Sequence, residues 1–192
     1  AHAAAGLHHA RNGVEVVVPE AQGCCGGLSW HTGDLAAAQA FARKNLDAFP
    51  ADVDAIVTNA AGCGSTMHEY HLILKGTPDE ARADAFRKRV VDVSVFLGRI
   101  GLRELPRGGA AIKVAYHDAC HLANAQGVRD EPRALLRMVP GLEIRELADA
   151  HLCWGSAGSY NMDQPETAAS LGAKKAKAVR ATGATVVASG NI

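Results

Sequence analysis

The chain has 192 residues, of which 48% are hydrophobic and 21% charged, a composition typical of globular domains and unlike that of disordered chains. Its 20 basic and 20 acidic residues cancel, so it lacks the basic excess of nucleic-acid-binding proteins and we expect no nucleic-acid partner. It has no run of about 18 apolar residues and no charged start, so the sequence predicts neither a transmembrane segment nor a signal peptide.

The predicted elements of the first half alternate between helix and strand. Runs of β-branched residues predict strands at Val14–Val18, where we expect burial, and at Ile56–Thr58. Apolar residues at three- and four-residue steps predict an amphipathic helix that begins near Leu35 and ends at Pro50. Further helices are predicted over 1–11, 66–74, 79–89 and 91–100.

The same order of elements recurs after a linker, Pro106–Gly109. Strands are predicted at 112–116, 142–144 and 185–188, and helices over 132–138 and 164–181. We therefore expect an α/β protein made of two similar units, residues 1–106 and 107–192. Each unit should hold a small, mostly parallel sheet flanked by helices.

The spacing of glycines and cysteines indicates that the two units are copies of one another. Once a single insertion is allowed, Gly26 aligns with Gly155 and Cys24 aligns with Cys153. On this alignment the counterpart of Cys63 falls at residue 192, the last position, give or take one. An internal repeat of this kind is the strongest inference that the residues alone support.

The upstream end of the alignment is equally incomplete. Cys120 precedes Cys153 by 33 positions, so its counterpart in the first unit falls before residue 1. The repeat thus predicts one cysteine within about ten positions before residue 1 and another shortly after residue 192.

Five cysteines follow predicted strands or lie in glycine-rich loops, and their odd number argues against a secreted disulfide framework. Strand ends of a parallel sheet converge on one edge, so thiols placed after strands would meet there. Soft thiolates select iron–sulfur clusters or tetrahedral zinc. The candidate metal ligands are Cys24, Cys25, Cys63, Cys120 and Cys153.

Simpler interpretations of these residues stay open at this point. Each cysteine could be a small buried hydrophobic residue. The lysines at 174, 175 and 177 are interpreted as a solvated face of the last helix. Two histidine pairs could contribute to a zinc site, although neither spacing matches a zinc motif: His68 with His71, and His117 with His121.

Four stretches together resemble the double-CCG cysteine-rich family, which includes the cysteine-rich subunit of heterodisulfide reductase and iron–sulfur subunits of flavin-linked dehydrogenases. They are residues 19–26 (PEAQGCCG), 59–64 (NAAGCG), 116–121 (YHDACH) and 153–161 (CWGSAGSYN). Within the family the chain is most similar to glycolate oxidase iron–sulfur subunits. Their two N-terminal ferredoxin-type cysteine runs are absent here, so the resemblance is to the C-terminal part.

The resemblance implies electron transfer. Such subunits take electrons from the FAD of a partner subunit after a 2-hydroxy acid is oxidised, and relay them through 4Fe-4S clusters towards a quinone or another acceptor. It also implies that the five cysteines are the ligands and that this chain alone has no catalytic residue for the hydroxy acid. A cytoplasmic location follows, at the periphery of the inner membrane if partners hold it there.

Several alternatives to glycolate oxidation remain. The same role could serve lactate utilisation, anaerobic glycerol 3-phosphate dehydrogenase or heterodisulfide reductase. A different class of function is a zinc-stabilised structural module of such a complex.

One residue departs from the family pattern. Trp154 stands where the family has the second cysteine of the pair, and an indole cannot replace a thiolate ligand. The first unit therefore offers three thiols and the second only two. We expect these five to furnish at most one four-thiolate site.

Overall fold

The computed structural model describes residues 12–102, 109, 111–156 and 158–190. Helices and strands alternate along them, and the strands form two separate parallel sheets. The predicted α/β class, with a small parallel sheet flanked by helices in each half, is confirmed. The predicted helix over 1–11 and most of the predicted linker lie outside the described residues, and the boundary between residues 106 and 107 stays a prediction. Within the described ranges, no helix is long and apolar enough to cross a membrane.

The first half is built mainly of helices around a two-stranded sheet. Strands β1 and β2 pair in parallel, with Ile56 opposite Val90 and Thr58 opposite Asp92. The elements are α1 Gly27–His31, α2 Leu35–Ala48, β1 Ile56–Thr58, α3 Ala61–His68, α4 Tyr70–Ile73, α5 Glu80–Arg87, β2 Val90–Asp92 and α6 Val93–Ile100.

The core of this half lies where α2 packs against α4 and α5. Tyr70 is fully buried and stacks on Phe86, with ring centroids 5.4 Å apart. Phe49, which follows α2, meets Phe86 edge-on at 5.7 Å. Asp34 caps the N-terminus of helix α2, and its carboxylate accepts the backbone N–H of Ala37 at 3.0 Å. This packing fixes the inner face of α2, which supports the cysteine loop described below.

The second half is organised around one central strand. The sheet order is β4-β3-β5, and Val114 of β3 lies opposite Ile144 on one side and Val186 on the other. Residues 114–117 of β3 are buried. The elements are β3 Ile112–His117, a π-helical segment His121–Ala125, α7 Asp130–Arg137, β4 Leu142–Glu146, α8 Tyr160–Asp163, α9 Pro165–Ala181 and β5 Val186–Ser189.

A single arginine fastens α7 to this sheet. The Arg133 guanidinium donates to the Asp118 carboxylate after β3 and to the Glu146 carboxylate of β4, with each ion pair at 2.8 Å. It also lies over the ring of Tyr116, 4.6 Å from the centroid. Hydrogen bonds from Arg133 hold the pKa of Asp118 below its usual range. The planar guanidinium thus ties two strands and one helix together.

The predicted buried strand at Val14–Val18 is wrong. The segment pairs with none of the described strands, and Val17 and Val18 expose 54% and 55% of their surface. A strand needs a neighbour to satisfy its backbone groups, so β-branched residues alone do not make one. The segment instead forms one wall of a cleft of about 950 Å³ whose other wall includes β1.

Two predicted helices also differ in their bounds. The helix predicted from Val91 begins at Val93, because Val90 and Val91 are buried as β2 against β1. Asp92 then caps α6, its carboxylate accepting the N–H of Ser94 at 2.8 Å. The helix predicted over 66–74 is divided between α3 and α4.

We expect Arg133→Met to lower the free energy of unfolding by about 3 kcal/mol, because it leaves the buried Asp118 carboxylate without its cation. The matched control is Arg43→Met, which removes an ion pair with Asp79 that is far more exposed and should cost less than about 1 kcal/mol. Urea unfolding at pH 7 measures both, and equal losses would contradict the role given to Arg133.

Candidate metal centre

Two adjacent thiols lie in a tight glycine loop just before α1. Gly26 has φ 81°, a left-handed conformation that favours glycine, and a Cβ there would lie 2.9 Å from the Cβ of Phe41. The turn directs one backbone N–H at each sulfur: Gly26 donates to Cys24 Sγ and Gly27 donates to Cys25 Sγ, both at 3.4 Å. The loop thus presents two sulfurs that already accept hydrogen bonds.

Two buried side chains of the core hydrogen-bond to the backbone of this loop. Asn45 Nδ2 donates to the carbonyl of Cys24 at 2.9 Å, while its Oδ1 accepts the N–H of Gly23 at 3.0 Å. The Tyr70 hydroxyl donates to the carbonyl of Cys25 at 3.0 Å and accepts from Asn45 at 2.9 Å. Burial raises the pKa of Tyr70, so the hydroxyl keeps its proton and remains a donor. The loop is therefore fixed to the core on three consecutive residues.

The third thiol of the first unit comes from α3. Cys63 lies in the first turn of that helix, directly after β1 and the short link that follows it. A hydrogen bond from the Cys25 thiol lowers the pKa of Cys63 to about 7. The same hydrogen bond, together with burial, raises the pKa of Cys25. Three of the predicted ligands, Cys24 among them, therefore interact directly or electrostatically.

The second unit repeats the loop geometry with fewer thiols. Gly155 donates its N–H to Cys153 Sγ at 3.3 Å, which matches the bond from Gly26 to Cys24. Cys120 follows β3 and lies close to Cys153. Burial and then the neighbouring Cys153 raise the pKa of Cys120. The predicted repeat is thus visible in the local hydrogen bonding of both cysteine loops.

Trp154 occupies the place of a second thiol in this loop. Its indole meets the ring of His117 edge-on, with centroids 5.2 Å apart. Both rings line a cavity of about 260 Å³ together with Cys120 and Cys153. Burial lowers the pKa of His117 to about 4, so this imidazole is neutral at pH 7. The two thiols of the second unit, Cys120 and Cys153, therefore lie beside the ring of Trp154. In the first unit a third thiol takes the corresponding position.

The two cysteine loops lie on elements that pack against each other. Helix α3 contacts the π-helical segment that follows Cys120. Gln126 Nε2 donates to the carbonyl of Ala61 at 2.9 Å, and Ser65 Oγ donates to the carbonyl of His121 at 3.4 Å. The ring of His31, at the end of α1, lies 5.5 Å from that of His121. The thiols of both units therefore lie on elements that meet at the contact between α3 and the π-helical segment.

Of the two histidine pairs, only His117 and His121 lie beside thiols: both line the cavity with Cys120 and Cys153, and His121 Nδ1 lies 3.7 Å from Cys120 Sγ. Among the residues that the structure describes, no group of three or more His, Cys, Asp or Glu side chains could hold a metal ion as placed. His71 Nδ1 lies 3.0 Å from the carbonyl oxygen of His68, so this ring is engaged with the backbone. A single ion needs its ligands in one coordination shell, whereas a cluster takes one thiolate at each of several irons.

One lysine interpreted as solvated is in fact buried beside the second loop. Lys175 is 1% exposed, and its ammonium donates to the carbonyls of Asp149 at 3.0 Å and Ala150 at 3.2 Å. Asp149 has φ 56°, a strained value for a residue other than glycine. Lys175 therefore braces the bend that leads to Cys153, and burial lowers its pKa.

The helical period held the signal for two of the supporting residues that sequence reasoning missed. Lys175 lies seven positions after the buried Ala168, on the same face of α9. Asn45 lies three positions after Ala42 on the apolar stripe of α2. A polar side chain on a buried stripe indicates a specific hydrogen-bonding role.

In the metal-free protein, alkylation of Cys63 by iodoacetamide should show a pH midpoint near 7, because the thiolate is the reactive form. Cys25→Ala removes the donor and should move this midpoint up towards the usual value of about 8.5. Mass spectrometry of tryptic peptides gives the rate at each pH. An unchanged midpoint in Cys25→Ala would show that Cys25 does not activate Cys63.

A sequence profile described as "Cysteine-rich domain" and named CCG matches residues 8–68 and 114–192. The chain is 37% identical over 182 residues to a "Probable glycolate oxidase iron-sulfur subunit" of Bacillus subtilis (strain 168), covering 93% of this chain and 41% of that protein. It is 35% identical over 191 residues to the "Glycolate oxidase iron-sulfur subunit" of Escherichia coli (strain K12), covering 95% and 46%. The chain thus spans less than half the length of these two relatives.

A relative with a different name matches a shorter stretch of this chain. The chain is 34% identical over 155 residues to "Lactate utilization protein A" of Geobacillus kaustophilus (strain HTA426), covering 79% of this chain and 64% of that protein. The two matched segments contain the two cysteine loops with their shared amide–sulfur geometry. This chain therefore belongs to the CCG cysteine-rich domain family.

Proposed function

We propose that this chain is the cysteine-rich part of an iron–sulfur electron-transfer subunit in a glycolate oxidase-type oxidoreductase. The observation that carries the proposal is the trio Cys24, Cys25 and Cys63: the first two lie in a loop held by the core, and their thiols interact with that of Cys63 in the first turn of α3. Relatives named as iron–sulfur subunits cover most of the chain and support the redox class.

The residues of the first unit would act as ligands and as their supports. Cys24, Cys25 and Cys63 would bind iron as thiolates, and the low pKa of Cys63 favours that form at neutral pH. The N–H groups of Gly26 and Gly27 donate to the sulfurs and would stabilise their negative charge. A bound 4Fe-4S cluster would supply one-electron chemistry there.

The second unit would contribute fewer ligands. Cys120 and Cys153 are the candidate ligands on this side, and Trp154 leaves the pair without a third thiol. Packing of α3 against the π-helical segment places the two sets on either side of one contact. The five thiols would thus furnish one four-thiolate set at most.

The partner, the substrate and the location are part of the same proposal. We place the oxidation of glycolate on a subunit that carries FAD, with a quinone or another carrier accepting the electrons. The names of the two glycolate oxidase relatives support glycolate, and the name of the lactate utilisation relative supports lactate as the alternative. Reduced thiols fit the cytoplasm, with the membrane reached through partners.

Anaerobic purification of the natural polypeptide with its flavin subunit tests the proposal. We expect iron and acid-labile sulfide in equal amounts, and bleaching of the visible absorbance when glycolate is added. Cys63→Ser should lower iron and sulfide several-fold, because it removes a thiolate next to Cys25. Ser65→Ala, on the same helix α3, removes a hydroxyl but no thiol and should keep the full content.

Three outcomes would count against the proposal. Zinc without sulfide would favour the structural module. Sulfide that is retained in Cys63→Ser would remove this residue from the ligand set. Bleaching by lactate and not by glycolate would keep the electron-transfer role and change the substrate.

A further inference from the structure

Helix α9 packs directly against the second cysteine loop. A Cβ at Gly155 would lie 2.5 Å from the backbone oxygen of Ala168, and a Cβ at Gly172 would lie 3.4 Å from the carbonyl oxygen of Trp154. The backbones of the loop and the helix therefore approach each other closely at these two points. Lys175 follows Gly172 by three positions and Ala168 by seven, so it lies on the same face of α9.

The Lys175 ammonium is buried beside this loop as a full charge. It donates to the carbonyls of Asp149 at 3.0 Å and Ala150 at 3.2 Å, which precede Cys153 by four and three positions. Hydrogen bonds to two carbonyls require only N–H donors, and a neutral amide side chain also has those. Burying a charge is costly unless it is paired, so an ammonium at this place indicates that it acts on negative charge nearby.

The surroundings of Lys175 include a candidate metal ligand. Burial lowers the pKa of Lys175. Negative charge at Asp149, Cys153 and Asp118 acts in the opposite direction and favours the ammonium. Burial and, after it, the positive charge of Lys175 lower the pKa of His117 to about 4, and this ring lines the same cavity as Cys153. The charge of Lys175 therefore acts on the cavity that the thiols of the second unit line.

We propose that Lys175 is an electrostatic positioning residue for electron transfer, whose buried charge raises the reduction potential of the centre to which Cys153 contributes. The inference rests on the proposed function, because it concerns the iron–sulfur group that Cys153 would help to bind. Reduction adds one negative charge to such a group, and a nearby cation stabilises the reduced state more than the oxidised state. Burial strengthens this effect, because salt and water screen buried charges much less than exposed ones.

A purely structural role for Lys175 makes a different prediction. Asp149 has φ 56°, so a side chain that only holds this bend needs donors and no charge. Lys175→Gln keeps N–H donors and removes the charge, whereas Lys175→Arg keeps both. The neighbouring Lys174 is exposed on the same helix, so Lys174→Gln removes an equal charge that solvent screens.

Redox titration of the natural polypeptide, purified anaerobically with its flavin subunit, tests the inference. Electron paramagnetic resonance follows the reduced iron–sulfur signal, and the component that Cys153→Ser abolishes belongs to the centre in question. We expect Lys175→Gln to weaken the one-electron reduction of this centre about tenfold, which is a potential about 59 mV more negative. Lys175→Arg and Lys174→Gln should keep the potential of the parent, and all three variants should keep its iron and sulfide content.

Each other outcome has a definite meaning. An unchanged potential in Lys175→Gln, with full iron and sulfide, would overturn the inference and leave the proposed function intact. Loss of the centre in both Lys175→Gln and Lys175→Arg would make the residue a structural brace and overturn it, whereas loss in Lys175→Gln alone would support the need for the charge. An equal shift in Lys174→Gln, or a signal that is indifferent to Cys153→Ser, would also overturn it.

The parent polypeptide separates this inference from the function on which it rests. A parent without iron and sulfide would overturn the proposed function and the role of Lys175 together. A parent with both, in which only the Lys175 variants fail to behave as expected, would overturn the role of Lys175 alone.

Discussion

The hydrogen bonds from Asn45 and Tyr70 to the Cys24–Cys25 loop are the constraint on which the candidate site depends. Both side chains lie in the core, at 2% and 0% exposure, and each donates to a cysteine carbonyl. Leaving such groups unpaired would cost about 1–3 kcal/mol each. The core thus fixes the loop in the metal-free chain, and under the proposed function the thiols would need less ordering on metal binding.

The two units share one local design and differ in what supports it. In both, the glycine two positions after a cysteine donates its N–H to that cysteine's sulfur. The first loop rests on neutral hydrogen bonds from Asn45 and Tyr70. The second is braced by the buried ammonium of Lys175, which holds the carbonyls of 149 and 150. A cation near thiolates would help to balance their charge, in a unit that has only two of them.

The sequence alone could predict what depends on residue type and local spacing. The cysteine loops, the internal repeat and most helices follow from glycine, thiol and apolar periodicity. The strand at 14–18 could not be judged in this way, because strand formation depends on a neighbour and not on valine content. The burial of Lys175 and the bridge through Arg133 depend on what each helix packs against, which spacing alone does not give.

The most direct test of this account compares two tyrosine-to-phenylalanine variants of the natural polypeptide. Tyr70→Phe removes the donor to Cys25, and we predict several-fold less iron and sulfide and a loss of about 1–3 kcal/mol in the unfolding free energy of the metal-free form. Tyr116→Phe is the control, because the buried Tyr116 hydroxyl has no hydrogen-bond partner among the described residues and its loss should change neither quantity. Full metal content and unchanged stability in Tyr70→Phe would contradict the claim that the core shapes the cysteine loop.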